Sequence, residues 1–331
     1  MFTLSRRTVF AAALCLAAGT SVVPGRADAA KIRIAFGDIA SVESLHFLIA
    51  IERAKEKGLE PEITYFKSED VAAQAVVSGQ ADIGVGAPYA LLQKVKAPIR
   101  MFFQMSTLRF YPMVNTEHYK TWKDLDGQEI AVHSRGSGTE AIMKLMADRQ
   151  GIAYKSISYV PGSEVRAGAM LQGNIKASIV DSTNRRLLME KAPGKFAVLP
   201  MDGVNATDEA LYANTAFLER EAQAVDTLVE AMLATWREIN ANPAVAAELR
   251  AKYRILPDLP KDLEKDIGPY FEEAAAGKSL PLNGGGEAAA KDDFAFYTLA
   301  GQLQGEAVSL KTADFWDLRP LQRALAKLGT Q

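Results

Sequence analysis

Two kinds of hydrophobic spacing take turns along this chain. Residues 31–36 alternate polar and apolar side chains, the period-two signature of a strand with one face buried. A loop over residues 37–42 follows. Residues 43–57 then set Leu45, Leu48 and Ile49 on one side and Glu52 on the other, which predicts a helix, and Gly58 supplies its stop. Residues 62–66 predict the next strand, 71–78 a helix and 82–86 a strand. The alternation returns later. Strands at 129–133, 157–160 and 177–181 enclose helices at 138–150 and 165–172. Such alternation predicts parallel α/β sheets.

The two passages share a unit. Residues 71–85 and 166–180 both run helix, glycine turn, strand at matching spacing, so two similar α/β lobes are expected. Residues 110–115 read as a strand leading into the second lobe, and residues 210–214 as one leading out. A lobe inserted between two crossing strands makes a hinge with a cleft. From Phe217 the texture turns helical. A long helix over residues 218–240 carries Val225, Leu228, Val229, Met232, Leu233 and Trp236 on one face. Pro243 sits in the first turn of the next helix, where proline is tolerated. Pro257, Pro260, Pro269 and Pro281 cut the remainder into short pieces, and residues 287–331 read as closing helices. About three hundred residues exceed what one core supports, roughly 250–300. The expected division is residues 1–29 as a signal peptide, 30–110 with 211–331 as lobe 1, and 111–210 as lobe 2.

The amino terminus changes the setting. Ser5-Arg6-Arg7 precedes a short apolar run at residues 11–18, and Ala27-Asp28-Ala29 forms a small-x-small cleavage site. The run is shorter than the roughly 20 residues a membrane span needs. Export is expected, with cleavage between Ala29 and Ala30. The paired arginines suit a twin-arginine signal, although Val9 stands where Phe is usual, and an ordinary secretory signal fits too. Cys15 follows Leu14 rather than a small residue, which argues against lipidation. It is the one cysteine. Its removal excludes disulfides, thiol catalysis and zinc–thiolate sites from the mature chain. The segment holds three arginines and one aspartate, so cleavage takes the formal net charge from −2 to −4. Such a protein is poorly suited to nucleic acid.

Candidate chemistry gathers at strand ends. His133-Ser134-Arg135-Gly136-Ser137-Gly138-Thr139-Glu140 follows a strand and opens a helix. Ser137 and Glu140 have capping-box spacing, and the bare amides at a helix start suit an anion. A well-capped helix accounts for the same residues without any ligand. Ser134, Gly136, Ser137, Gly138 and Thr139 are therefore candidate ligand contacts. Gly136, Gly138 and Ala141 also match a dinucleotide fingerprint. The ribose-binding acid expected at the end of the next strand is displaced beyond a turn to Glu164, so nucleotide binding is set aside. Gly86, Ala87 and Pro88 form the partner loop of the first lobe. Gly37, Asp38 and Ser41 end its first strand, and Asp181 and Ser182 end one in the second lobe. Thr107 and Arg109 precede the crossing, with Arg109 a possible clamp on a carboxylate or sulfonate. His46, His118 and His133 show no metal spacing, and no catalytic set, metal site or cofactor is expected. Asp292 and Asp293 read as a solvated helical pair.

The chain resembles the solute-binding proteins of ABC importers, in the group that includes sulfonate, taurine, nitrate and pyrimidine-precursor binders. The resemblance spans nearly all of the mature sequence. It rests on residues 78–86 (SGQADIGVG), 122–132 (WKDLDGQEIAV) and 173–177 (GNIKA), with Lys176 where the first copy has Asp82. It implies a type II periplasmic binding fold, with ligand capture between the lobes. It also implies delivery to an inner-membrane permease powered by a separate ATPase. The expected ligand is a small organic anion, a sulfonate or carboxylate, with a pyrimidine or thiamine precursor as the alternative. A periplasmic monomer is expected. Pyrimidine-synthase relatives use a cysteine-rich motif, which the mature chain lacks.

Overall fold

A computed structural model describes residues 30–201 and 204–330. The expected signal peptide, Cys15 and the cleavage site lie outside the described residues. No described helix is long and apolar enough to cross a membrane.

The strands are β1 Ala30–Phe36, β2 Leu59–Tyr65, β3 Ile83–Gly86, β4 Ile99–Gln104, β5 Tyr111–Asn115, β6 Glu129–Val132, β7 Ser156–Tyr159, β8 Ala177–Val180, β9 Phe196–Val198 and β10 Ala210–Asn214. They form two five-stranded sheets, ordered β2-β1-β3-β10-β4 and β7-β6-β8-β5-β9. Each sheet has a parallel core, as alternation predicts. Each also carries one antiparallel strand inside it, β10 against β3 and β4, and β5 against β8 and β9. These are the strands that arrive from the other lobe. They enter from the opposite end of the sheet, so the sheets are mixed and not purely parallel. The chains cross just before them. Thr107 bridges Thr207, Leu108 N–H donates to the Ala206 carbonyl at 2.8 Å, and Asp208 N–H donates to the Ser106 carbonyl at 2.9 Å.

Helices cover the sheets: α1 Leu45–Glu56, α2 Glu69–Val77, α3 Tyr89–Val95, α4 Gly138–Gln150, α5 Ser163–Leu171, α6 Ser182–Lys191, α7 Thr215–Arg220, α8 Ala222–Ala241, α9 Val245–Tyr253, α10 Lys261–Glu264, α11 Ile267–Ala276, α12 Glu287–Leu299, α13 Thr312–Phe315 and α14 Arg319–Leu328. The long helix expected over 218–240 is two helices, broken at Glu221, whose backbone leaves helical angles (φ −109°, ψ 31°). The predicted apolar face of α8 is buried and packs on α1 in the first lobe's core.

The repeated unit keeps its backbone in both lobes. Ala75 O accepts from Gln80 N and Ala81 N after Gly79 at φ 76°, and Ala169 O accepts from Asn174 N and Ile175 N after Gly173 at φ 79°. A glycine ends each helix because the left-handed backbone there penalises a Cβ. Asp293 departs from its solvated reading. It is fully buried, accepts from Thr207 N at 2.6 Å and Thr207 Oγ1 at 2.7 Å, and is bonded by Tyr89. Trp316 Nε1 donates to the Tyr89 hydroxyl at 2.8 Å. This buried network holds the returning crossing segment.

Candidate functional site

The loops at the carboxyl ends of β1, β3, β6 and β8 meet between the lobes, where open α/β sheets place their ligands. A narrow inner crevice lies there. The first lobe lines it with Asp38, Glu43 and Glu69. The second contributes His133, Ser137, Gly138, Thr139, Ser163 and Arg166, and the crossing segments add Phe110, Asp208 and Glu209. A roomier outer chamber adjoins it, and Glu69 is common to both. Gly86, Ala87, Pro88 and Gly136 line that chamber.

Acidic groups dominate the inner crevice. Burial pushes Glu69 up to about 8, helped by Asp208 and opposed by the Ala87 amide. Burial likewise takes Asp208 to about 7 and Glu164 to about 7. Glu43 rises through burial and then through Asp181 of the other lobe, and Glu209 through burial and then Asp208. The Glu69 side chain keeps 22 % of its surface exposed. Water therefore reaches this crowding and moderates it. These carboxyls hold their protons more tightly chiefly because burial withholds water from their charged forms, and secondly because they face one another.

Arg166 is the buried cation of the wall. It donates from Nε to the Ile179 carbonyl, from Nη1 to the Val160 carbonyl and from Nη2 to Ser163 Oγ, each at 2.9 Å. His133 crosses the lobe boundary, with Nε2 3.2 Å from the Gly37 carbonyl. Gly162 N–H donates to His133 Nδ1 at 3.4 Å. Those partners suit a neutral ring with its proton on Nε2. Burial lowers its basicity, so its approaches to Asp38 at 3.5 Å and Glu69 at 3.8 Å are polar contacts of a neutral imidazole.

The features expected to hold an anion are already engaged. Ser137 Oγ accepts from Glu140 N at 3.3 Å, as the capping spacing predicts. The Glu140 carboxylate then takes Gly136 N at 2.7 Å, and its other oxygen takes Tyr159 at 2.8 Å and Lys144 at 2.7 Å. The helix start holds a carboxylate of its own. Arg109 turns away from the crevice to Glu273, with Nη2 to Oε1 at 2.9 Å. Thr107 N–H donates to the Ser279 carbonyl at 3.0 Å. Ser41 N–H donates to Ser44 Oγ at 3.0 Å, within the loop before α1. Asp181 caps α6, accepting from Asn184 N at 2.7 Å, while facing Glu43; Ser182 is buried beside it. Ser134 is buried with its hydroxyl unpaired.

Asp38, Ser137, Gly138 and Thr139 therefore come together in the inner crevice, and Gly86, Ala87, Pro88 and Gly136 in the outer chamber. Glu43, Glu69, Arg166, Asp208 and Glu209 were missed. Asp208-Glu209, directly before a crossing strand, gave the one available signal; nothing local marks Arg166 inside an alanine-rich helix.

The lobes also meet along a second front. From α6, Arg186 grips Asp266 through two bonds of 2.6 Å and also bonds Glu273; Arg185 reaches Glu273 at 3.3 Å and lies 4.2 Å over the Tyr111 ring. Lys265 reaches Glu190 at 2.6 Å, and Lys191 pairs with Asp262.

No curated protein matches the sequence. Among solved structures, a Bordetella bronchiseptica RB50 protein is similar at TM-score 0.72 and 22% identity, covering 91% of this chain and 98% of its own. The periplasmic nitrate-binding protein NrtA of Synechocystis PCC 6803 gives 0.67 and 12%, covering 92% and 90%. The alkanesulfonate-binding protein SsuA of Xanthomonas axonopodis pv. citri, bound to MOPS, gives 0.61 and 14%, covering 84% and 96%. At these identities the likeness establishes the periplasmic binding protein fold. Residues 46–246, well over half of the sequence, match the NMT1/THI5-like family, to which this chain belongs.

Proposed function

We propose that this protein is the exported, periplasmic solute-binding component of an ABC importer. It captures a small molecule between its lobes and hands it to an inner-membrane permease driven by a separate ATPase. One observation carries the reading: two sheets are joined by two crossing segments, and both lobes line the crevice between them. Such a hinge has an open and a closed arrangement, and a ligand that touches both lobes favours the closed one. Binding, not turnover, is its task, and the ligand returns unchanged.

Ligand charge is the finer question. The sequence suggested an organic anion on residues 136–139 and Arg109. The crevice supports the opposite sign, a cation. Glu140 occupies the helix start, Glu273 occupies Arg109, and carboxyls from both lobes face the inner space. A cation replaces the protons these groups hold, whereas an anion adds to their repulsion. A thermal-shift screen of amines, pyrimidines, sulfonates, carboxylates and nitrate tests the sign, with X-ray scattering to follow closure. Stabilisation by amines with a smaller radius is expected. Stabilisation by sulfonates or carboxylates alone overturns the charge reading, and an unchanged radius at saturation overturns the hinge.

A further inference from the structure

The outer chamber differs in chemistry from the crevice it adjoins. Its walls come from α2 and α3, with Ala73, Ala90 and Leu91 supplying apolar surface, and Arg135 and Gly136 of the second lobe at its edge. Glu69 stands at the junction of the two spaces. Tyr212 lines the chamber, is 1% exposed, and its hydroxyl has no partner among the described residues. Its ring sits where a Cβ on Gly84 would lie, within 2.1 Å, so glycine at 84 is what admits the tyrosine.

We infer that the site has two compartments and takes an organic ammonium ion with an extended apolar body. The ammonium sits in the inner crevice against Glu69 and the carboxyls of both lobes. The body runs past Glu69 into the chamber between α2 and α3, along the Tyr212 side chain. This rests on the cationic reading and adds the position and length of the apolar part. Amines of one carbon chain and of six therefore bind differently, because only the longer one reaches the chamber.

The test uses the full mature protein and a series of linear alkylammonium ions from methyl to hexyl, with hexanoate and hexanol as matched controls, in titration calorimetry at pH 7.5. Affinity is expected to rise about fourfold for each methylene that enters the chamber, from the transfer free energy of one methylene. Ala90→Leu, which narrows the chamber, is expected to abolish the chain-length gain while methylammonium binds as before. Should that variant fail to fold, Leu91→Ser reads the same loss. Equal affinities along the series, or a gain that survives both variants, overturns the two-compartment site while leaving the cationic crevice standing. Binding of hexanoate in place of every ammonium ion overturns the cationic reading itself.

Discussion

The lobes touch along two fronts that follow opposite electrostatic rules. In the crevice, carboxyls meet carboxyls: Glu43 of the first lobe faces Asp181 of the second, and Glu69 lies near Asp208. Along α6, opposite charges meet: Arg185, Arg186, Lys191 and Glu190 pair with Glu273, Asp266, Asp262 and Lys265. The paired front favours contact between the lobes with or without ligand. The like-charged front resists contact until protons or a cation intervene. On the proposed function, ligand dependence belongs in the crevice, while the ion pairs along α6 set how much closure exists beforehand.

The largest effect is expected at Arg166. It is 1% exposed, satisfies two carbonyls and one hydroxyl, and is the crevice's buried cation. Arg166→Met should destabilise the protein by about 3–5 kcal/mol, since it strands buried partners and leaves the acids uncompensated. Urea unfolding monitored by circular dichroism measures this. A loss below 1 kcal/mol would falsify the view that Arg166 offsets the acids.

Next comes Arg186, the centre of the other front. Its guanidinium and its partners are partly exposed, so Arg186→Ala should cost about 1–3 kcal/mol. It should also enlarge the ligand-free radius in X-ray scattering. An unchanged radius would mean that these pairs do not hold the lobes together.

The third expectation separates the fronts by pH. Glu69, Asp208 and Glu164 have folded-state values raised to about 8, 7 and 7. A carboxyl raised in the folded state binds its proton more tightly there than when unfolded. Its stabilisation is complete at acid pH and is lost as pH rises through the raised value. The melting temperature of ligand-free protein should fall between pH 5 and pH 8, and Glu69→Gln should flatten the fall. A melting temperature that rises over this range would contradict the assignment. The smallest effect is expected at Lys191–Asp262, where both side chains are about half exposed. Lys191→Ala should change stability by less than about 1 kcal/mol, and less still at high salt; a larger measured loss would make this outlying pair part of the closure.

Local pattern was enough for most of the backbone. The helix over 138–150 agrees with α4 in both bounds, and the glycine turns at 79 and 173 follow from spacing alone. Those features depend on neighbours three or four residues apart, which a sequence displays. The candidate site was half legible. Strand-end loops pointed to Asp38, Gly86 and Gly138, which line the crevice and the chamber, because strand ends of a parallel sheet gather at one edge.

Sequence by itself determined the two α/β units, the helical closing region and the family resemblance, since period and turn chemistry are local properties. Tertiary structure alone decided which charged groups face the crevice and which are already paired. Arg109 looked free until Glu273, 164 residues later, was placed against it, and the capping-box spacing left open whether Glu140 or a ligand takes the start of α4. Asp181 was legible as a strand-end residue and Glu43 was not, and the two face each other only because the crossing segments bring two strand ends together. Charge acts through space, and a linear order of residues does not carry the distances that decide which charges are already paired.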